Sequence, residues 1–366
     1  VAQHYLHSKE SRNAARFIQS LNESESESWL ALLRWGSHTE QGCRMCGSFR
    51  AHYRRRHRRT WHCAECDHEF SVKSGTALHG TKLTYRLIVE LIFAFENGAK
   101  GQSLLEMSRR IGATPKSIQV FFGKIREWMV HAMDLTPLQG IVHIDGGYFC
   151  GKPRPPRQKI KMPADALKVR FGKKSPTHPD KPWIDAGMTR RNWLKRANKR
   201  VVVALCESAG NREGSKRSIA MVCPAEDTAT ALQLVRSFVS PDAIVMTDES
   251  GAYASIGALV KGHFTVQHAR EFATAEGVSD NMAETFYSRM RRAEYGTTHG
   301  YRPKYLQDIV CEMVWRENHR KTDQSERLRL LLTGMLHAPK SRWWTGYWQS
   351  KNRAGELGMN YFMKKS

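Results

Sequence analysis

Asp248 closes the apolar run Ala243–Thr247, and Glu284 follows after 35 intervening residues, with Arg291 seven positions further on. Upstream, Asp145 closes a second apolar run, Ile141–Ile144. Two carboxylates at strand ends and a third on a helix form the donor set of a two-metal phosphoryl-transfer centre. Carboxylate oxygens suit magnesium or manganese, and two such ions held ~4 Å apart activate an attacking oxygen and stabilise the leaving one. Glu284 and Arg291 are two helical turns apart and share a face, so one can hold metal while the other holds phosphate. Asn281, one turn before Glu284, competes with it for the third ligand position, because an amide oxygen coordinates magnesium without bringing charge. His268, at the end of the preceding strand, is a candidate for orienting a phosphate or a water; an ordinary hydrogen-bonding histidine fits equally well.

A second metal chemistry is written in the cysteines. Cys43-x2-Cys46 and Cys63-x2-Cys66 are separated by 16 residues, the spacing of two knuckles that place four thiolates around one structural zinc. The other four cysteines, Cys150, Cys206, Cys223 and Cys311, are scattered, which argues for metal use over a disulfide framework. Between the knuckles, Arg54, Arg55, Arg56, Arg58 and Arg59 crowd into eight residues. Such a concentration of like charge is costly unless phosphates neutralise it, so these arginines are candidate DNA contacts.

Whole-chain composition agrees. Among 366 residues, 58 Lys and Arg face 35 Asp and Glu, a net charge of +23, which favours a polyanionic partner. No stretch approaches the ~20 apolar residues of a membrane span, and residues 1–21 lack the apolar centre of a secretory signal. A cytoplasmic protein is expected, in a cell whose DNA lies in the same compartment. No Walker A loop, dinucleotide fingerprint, Gly-x-Ser-x-Gly elbow or His-Glu-x-x-His is found, which leaves nucleotide-driven and common hydrolase chemistries without support.

The elements that must position these residues divide the chain into five parts. Residues 1–40 read as an N-terminal helical segment, in which Ser28 can cap a short helix Trp29–Leu33. Residues 41–80 are the zinc ribbon, too poor in apolar residues to fold without a metal staple. Residues 81–135 read as a helix-turn-helix: apolar positions recur from Leu83 to Phe95, Gly112 makes the turn and Pro115 opens the last helix. That helix offers Lys116, Gln119 and Lys124 as candidate DNA contacts; Arg292, beside Arg291, is another. Residues 140–320 alternate strands and helices as an α/β catalytic domain, interrupted at 151–200 by a basic insertion with 16 Lys and Arg against three Asp, read as long and partly flexible. Three strands, a helix, a strand, a helix, a strand and a long helix is the RNase H-like order. Residues 321–366 form a C-terminal extension whose Trp343, Trp344 and Trp348 can pack on the core or reach a partner.

On these motifs the chain resembles the DDE transposases of bacterial insertion sequences, in the zinc-ribbon group numbered fifteen-ninety-five. The resemblance runs over most of residues 25–320. It includes Phe70–Thr76, Val142–Tyr148 with Gly151-Lys152, Thr247-Asp248, His268, Asn281–Ser288, Arg291-Arg292, Tyr295-Gly296 and Trp315–Arg320. It implies an acidic triad binding two divalent ions in an enzyme that cuts at terminal inverted repeats and joins the freed 3′ ends to target DNA. Asp145 and Asp248 are then the first two acids, and the 281–284 stretch supplies the third, with Glu284 preferred over Asn281. A homo-oligomer, at least a dimer, would pair the ends in a synaptic complex. Two departures stand out: the family commonly has Glu where this chain has Gly146, and Lys where it has Arg291. Two rivals remain, a non-catalytic zinc-ribbon and helix-turn-helix regulator, and a nuclease that hydrolyses without joining.

Overall fold

The computed structural model describes residues 9–98, 100–151, 171–174, 182–184, 188–189, 195–210, 214–266 and 281–364. Helices α1 (Lys9–Ser20) and α2 (Glu23–Trp35) lead the chain. The expected cap at Ser28 is wrong. The side chain of Asn22 accepts the N–H groups of Ser24 and Glu25, and Glu25 reaches back to the Asn22 N–H, so the acidic stretch is the first turns of α2. Acidic residues there also suit the positive end of the helix. Glu23 extends further and accepts the N–H groups of Tyr85 and Arg86 at 2.9 Å each, capping the next long helix.

The ribbon is a small antiparallel sheet, β1 (Tyr53–Arg55), β2 (Thr60–His62) and β3 (Glu69–Phe70). Three helices follow. Thr84 caps α3 (Tyr85–Asn97), Ser103 caps α4 (Leu104–Ile111), and Thr114 with Pro115 opens α5 (Pro115–His131). Gly112, at φ +71°, closes α4 in the left-handed conformation that glycine adopts without strain.

The α/β part is one five-stranded sheet. Its strands are β4 (Ile141–Phe149), β8 (Arg200–Ser208), β9 (Ser215–Cys223), β10 (Ile244–Asp248) and β11 (Gly262–Val266), in the order β11-β10-β4-β8-β9. β10 runs parallel to both its neighbours, whereas β8 is antiparallel to β4 and β9. One face packs on α6 (Thr228–Phe238) through Val142, Ile144, Val203, Leu205 and Met221. The other packs on α7 (Asn281–Ala293) and α8 (Pro303–Asn318) through Phe149, Val202, Ala204, Cys206 and Ala220. Near-continuous burial along β8 and β9 follows from this double cover.

The basic insertion holds something the sequence did not suggest, a three-stranded antiparallel sheet of β5 (Phe171–Lys174), β6 (Pro182–Ile184) and β7 (Met188–Thr189). The expectation of flexibility falls mainly on residues outside the described ones. The C-terminal residues are no pendant extension. α9 (Gln324–His337) packs on α1, α2, α3 and α5, and the backbone of Pro339 bridges to Thr76 of the ribbon. Buried Glu127 of α5 accepts the Ser341 hydroxyl and the N–H groups of Arg342 and Trp343, and α10 (Met359–Met363) lies by β9. Trp344 is buried, stacked on Tyr305 of α8, while Trp348 is exposed.

Candidate metal centres and phosphate cleft

The ribbon positions its four thiols with two matching turns. Gly47 N–H returns to the Cys43 carbonyl at 2.8 Å and Asp67 N–H to the Cys63 carbonyl at 3.2 Å, both residues having positive φ. The sulfurs lie within 4.8 Å of one another, with Cys43 to Cys66 and Cys46 to Cys63 at 3.6 Å. Tetrahedral zinc with ~2.3 Å bonds needs sulfurs about 3.8 Å apart, so this quartet fits the ion. All eight cysteines are free thiols.

The arginines beside the knuckles have partners the sequence did not reveal. Arg54 donates to Glu27 of α2 at 2.7 and 2.8 Å and lies 4.1 Å over Trp61, and Arg59 donates to the same carboxylate at 3.0 Å. Arg55 and Arg58 pair with Glu69 at 3.3 and 3.7 Å. Two of the five arginines therefore dock the ribbon on α2 and two pair within the ribbon, so the gathering of arginines does not require phosphate. Arg56 is exposed, as is Lys116, whose ammonium sits 5.0 Å from the Trp348 ring; Gln119 is half-buried. Lys124 is a correction. It is 3% exposed, donating to the His79 carbonyl at 2.6 Å and to Thr81 at 3.2 Å, and burial pushes its ammonium down to about 8. Helix α5 turns this position inward, so it cannot touch DNA.

In the α/β sheet, Asp145 lies in the middle of β4, not at its end, while Asp248 is the last residue of β10. The register fixes where they point. Val245 pairs with Val142, and both enter the core on the α6 side. Three residues further along each strand, Asp248 and Asp145 turn to the opposite face, which α7 covers.

Helix α7 is held there by a stripe of Ala283, Phe286, Tyr287 and Met290, all buried. The Tyr287 hydroxyl accepts the Ala204 N–H at 3.0 Å and lies 2.9 Å from the Val202 carbonyl and 2.5 Å from that of Asp145. A Cβ on Gly147 would stand 2.8 Å from the Tyr287 ring, so glycine is what lets the ring lie on the strand. With α7 so docked, Glu284, Ser288, Arg291 and Arg292 line an open cleft of about 750 Å3 with Asp145. Asp145 is half-buried and Glu284 exposed.

Asp248 is half-buried and outside that lining; its Oδ1 accepts the Ser250 N–H at 3.1 Å. The acids are not drawn together as the thiols are: among the described residues, the cysteines are the only three or more such side chains close enough to share an ion. The acids nonetheless share a field. Burial raises the Tyr253 hydroxyl far above its ordinary value, and Glu226, Asp145 and Asp248 add to the rise. His268 lies outside the described residues, as does the Asn281 side chain.

Two residues near these acids were missed by the sequence reading. Lys100, in the turn between α3 and α4, lines the cleft, and Glu226, just before α6, lies against Gly146 and receives the Tyr253 hydroxyl at 3.2 Å. Neither has a periodic or motif signal, because each arrives by tertiary packing.

A zinc ribbon joined to an α/β domain with acids on adjacent parallel strands fits a transposase or nuclease-type enzyme. The family comparisons agree. A model for an ISXO2-like transposase domain matches residues 137–318, and one for a transposase zinc-ribbon domain matches residues 21–69. The chain belongs to the IS1595 family of zinc-ribbon DDE transposases. No curated protein matches it. No helix among the described residues is long and apolar enough to cross a membrane.

Proposed function

We propose that this chain cuts DNA at the terminal inverted repeats of its element and joins the freed 3′ ends to target DNA, using an RNase H-like catalytic domain over residues 140–320. The observation that carries this reading is the shared face of Asp145 and Asp248 on adjacent parallel strands, with Glu284 and Arg291 lining the cleft beside Asp145. The strand order, three antiparallel strands with two parallel ones added at the far edge of the first, supports it.

Half-exposed carboxylates of this kind fit magnesium or manganese, and Asp145, Asp248 and Glu284 would hold them. Two bound divalent ions supply Lewis acidity for in-line displacement at phosphorus. The side chains do the rest. Tyr287 fixes the backbone of Asp145 against β8, and Arg291 and Arg292 hold non-bridging phosphate oxygens, Arg291 as a planar fork in place of a lysine point charge. The α4–α5 pair acts as a helix-turn-helix that, with Arg56 and Arg58 of the ribbon and the basic insertion, grips the ends. Two or more subunits pair them.

The test is a gel assay of purified protein with end DNA, target DNA and magnesium or manganese. Wild type should yield joined species, and Asp248→Ala should yield none while still binding end DNA. Unchanged joining by Asp248→Ala would overturn the assignment. Cleavage without joined species in wild type would indicate a nuclease.

A further inference from the structure

Lys100 is the one residue in the described lining of the Asp145 and Glu284 cleft that belongs to neither β4 nor α7 with its following turn. It comes from the helical unit, in the turn between α3 and α4, and that turn is held in place. Gly101, at φ +80°, donates its N–H to the Gly98 carbonyl at 2.8 Å. The guanidinium of Arg316, on α8, donates to the Phe95 and Glu96 carbonyls at 2.6 and 2.9 Å, capping the end of α3. Arg316 also pairs with Glu312 at 2.8 Å, and Glu312 accepts Arg126 of α5 at 2.7 Å. Arg327 of α9 reaches Glu96 at 2.6 Å. A buried lattice of charges thus fastens the turn to the catalytic domain.

Lys100 itself is exposed and has no ion pair or hydrogen bond among the described residues. The cleft therefore holds two carboxylates, which suit divalent ions, and three cations, Lys100, Arg291 and Arg292, which suit phosphate. Arg291 and Arg292 come from α7 and Lys100 from a separate part of the chain. We propose that Lys100 contacts the DNA phosphodiester seated over Asp145 and Glu284, so that the helical unit completes the phosphate site of the catalytic domain. This rests on the strand-cutting reading of the cleft. In the displacement, an attacking oxygen forms its bond to phosphorus as the opposite P–O bond breaks. Lys100 offsets the charge that builds on the non-bridging oxygens.

The experiment compares wild type, Lys100→Ala and Lys100→Arg on end DNA with manganese, together with equilibrium binding in calcium. Lys100→Ala should cut at least about 10-fold more slowly at saturating DNA, with an unchanged melting temperature, and Lys100→Arg should recover most of the rate. The salt dependence of binding should weaken by about one phosphate contact in Lys100→Ala. With a neutral methylphosphonate at the scissile position, wild type should lose affinity and Lys100→Ala should lose little more. Wild-type rates in Lys100→Ala, a fall in rate matched by a fall in melting temperature, or no rescue by arginine would each overturn the proposal while leaving the cleft's function standing. A wild-type protein that binds ends and never cuts them would overturn both.

Discussion

Glu226 occupies the space that a side chain on Gly146 would need: a Cβ built on that glycine stands 2.1 Å from Glu226 Oε1 and 2.3 Å from its Cδ. The family commonly carries glutamate at the Gly146 position, and here a carboxylate reaches the same spot from the strand-to-helix turn before α6. Its location is held by the Tyr253 hydroxyl, itself almost fully buried.

Gly146→Ala should therefore displace Glu226 and lower stability by about 1 kcal/mol, the scale of mild overpacking where a flexible side chain can yield. In a Glu226→Ala background the same change should cost at least about 0.5 kcal/mol less, because the two sites are in contact. Urea unfolding of the four proteins reads the coupling; strict additivity would mean that the close approach carries no energy.

Zinc should be inseparable from the ribbon fold. Cys63 is fully buried, and Cys63→Ser should reduce bound zinc from about one equivalent to well below that. Hydrogen exchange over residues 41–80 should rise sharply on chelation, since a small metal site contributes folding energy directly. Metal analysis with mass-spectrometric exchange checks both; protection that survives chelation would refute the staple.

Arginines of the ribbon should separate into two groups. Glu27→Ala removes a buried carboxylate from Arg54 and Arg59 and should destabilise by about 2–3 kcal/mol, allowing for the partial exposure of both guanidiniums. Arg56→Ala should leave the melting temperature unchanged but weaken DNA binding and reduce its salt slope by about one. Calorimetry and a salt titration distinguish them.

Lys124 sets a pH dependence. Its folded pKa is pushed down to about 8 from 10.5, mainly by burial. Between those values the unfolded chain binds more protons than the folded one, so this group makes stability rise with pH over that window. Lys124→Met should remove that contribution. The difference in urea midpoint between variant and wild type at about pH 7.5 and about pH 9.5 measures it; an equal difference at both would show that Lys124 does not titrate there.

Much of the fold was legible in the sequence because apolar spacing reports burial directly. The four-residue steps from Leu83 to Phe95 gave α3, and the apolar runs before Asp145 and Asp248 gave two strands, whose parallel pairing only the structure shows. Cysteine spacing gave the ribbon, since metal ligands constrain sequence locally. Contacts across the chain left no such trace. Nothing near Arg54 announces that Glu27 will neutralise it, and the alternation of charge on α5 does not say that Lys124 faces inward. Lys100 reaches the cleft only because α3 is capped by α8, and Glu226 reaches Gly146 only because β9 leads directly into α6.

The Glu312 cluster leaves little room for a hinge between the helices proposed to read an end and the strands proposed to cut it. If the protein turns as one piece, the curvature that brings a gripped duplex to the cleft must come from the DNA. Smooth bending costs on the order of 1–6 kcal/mol, so end sequences with pliable pyrimidine–purine steps between grip and cut should bind more tightly than stiff ones, a discrimination exercised by bases the protein never touches.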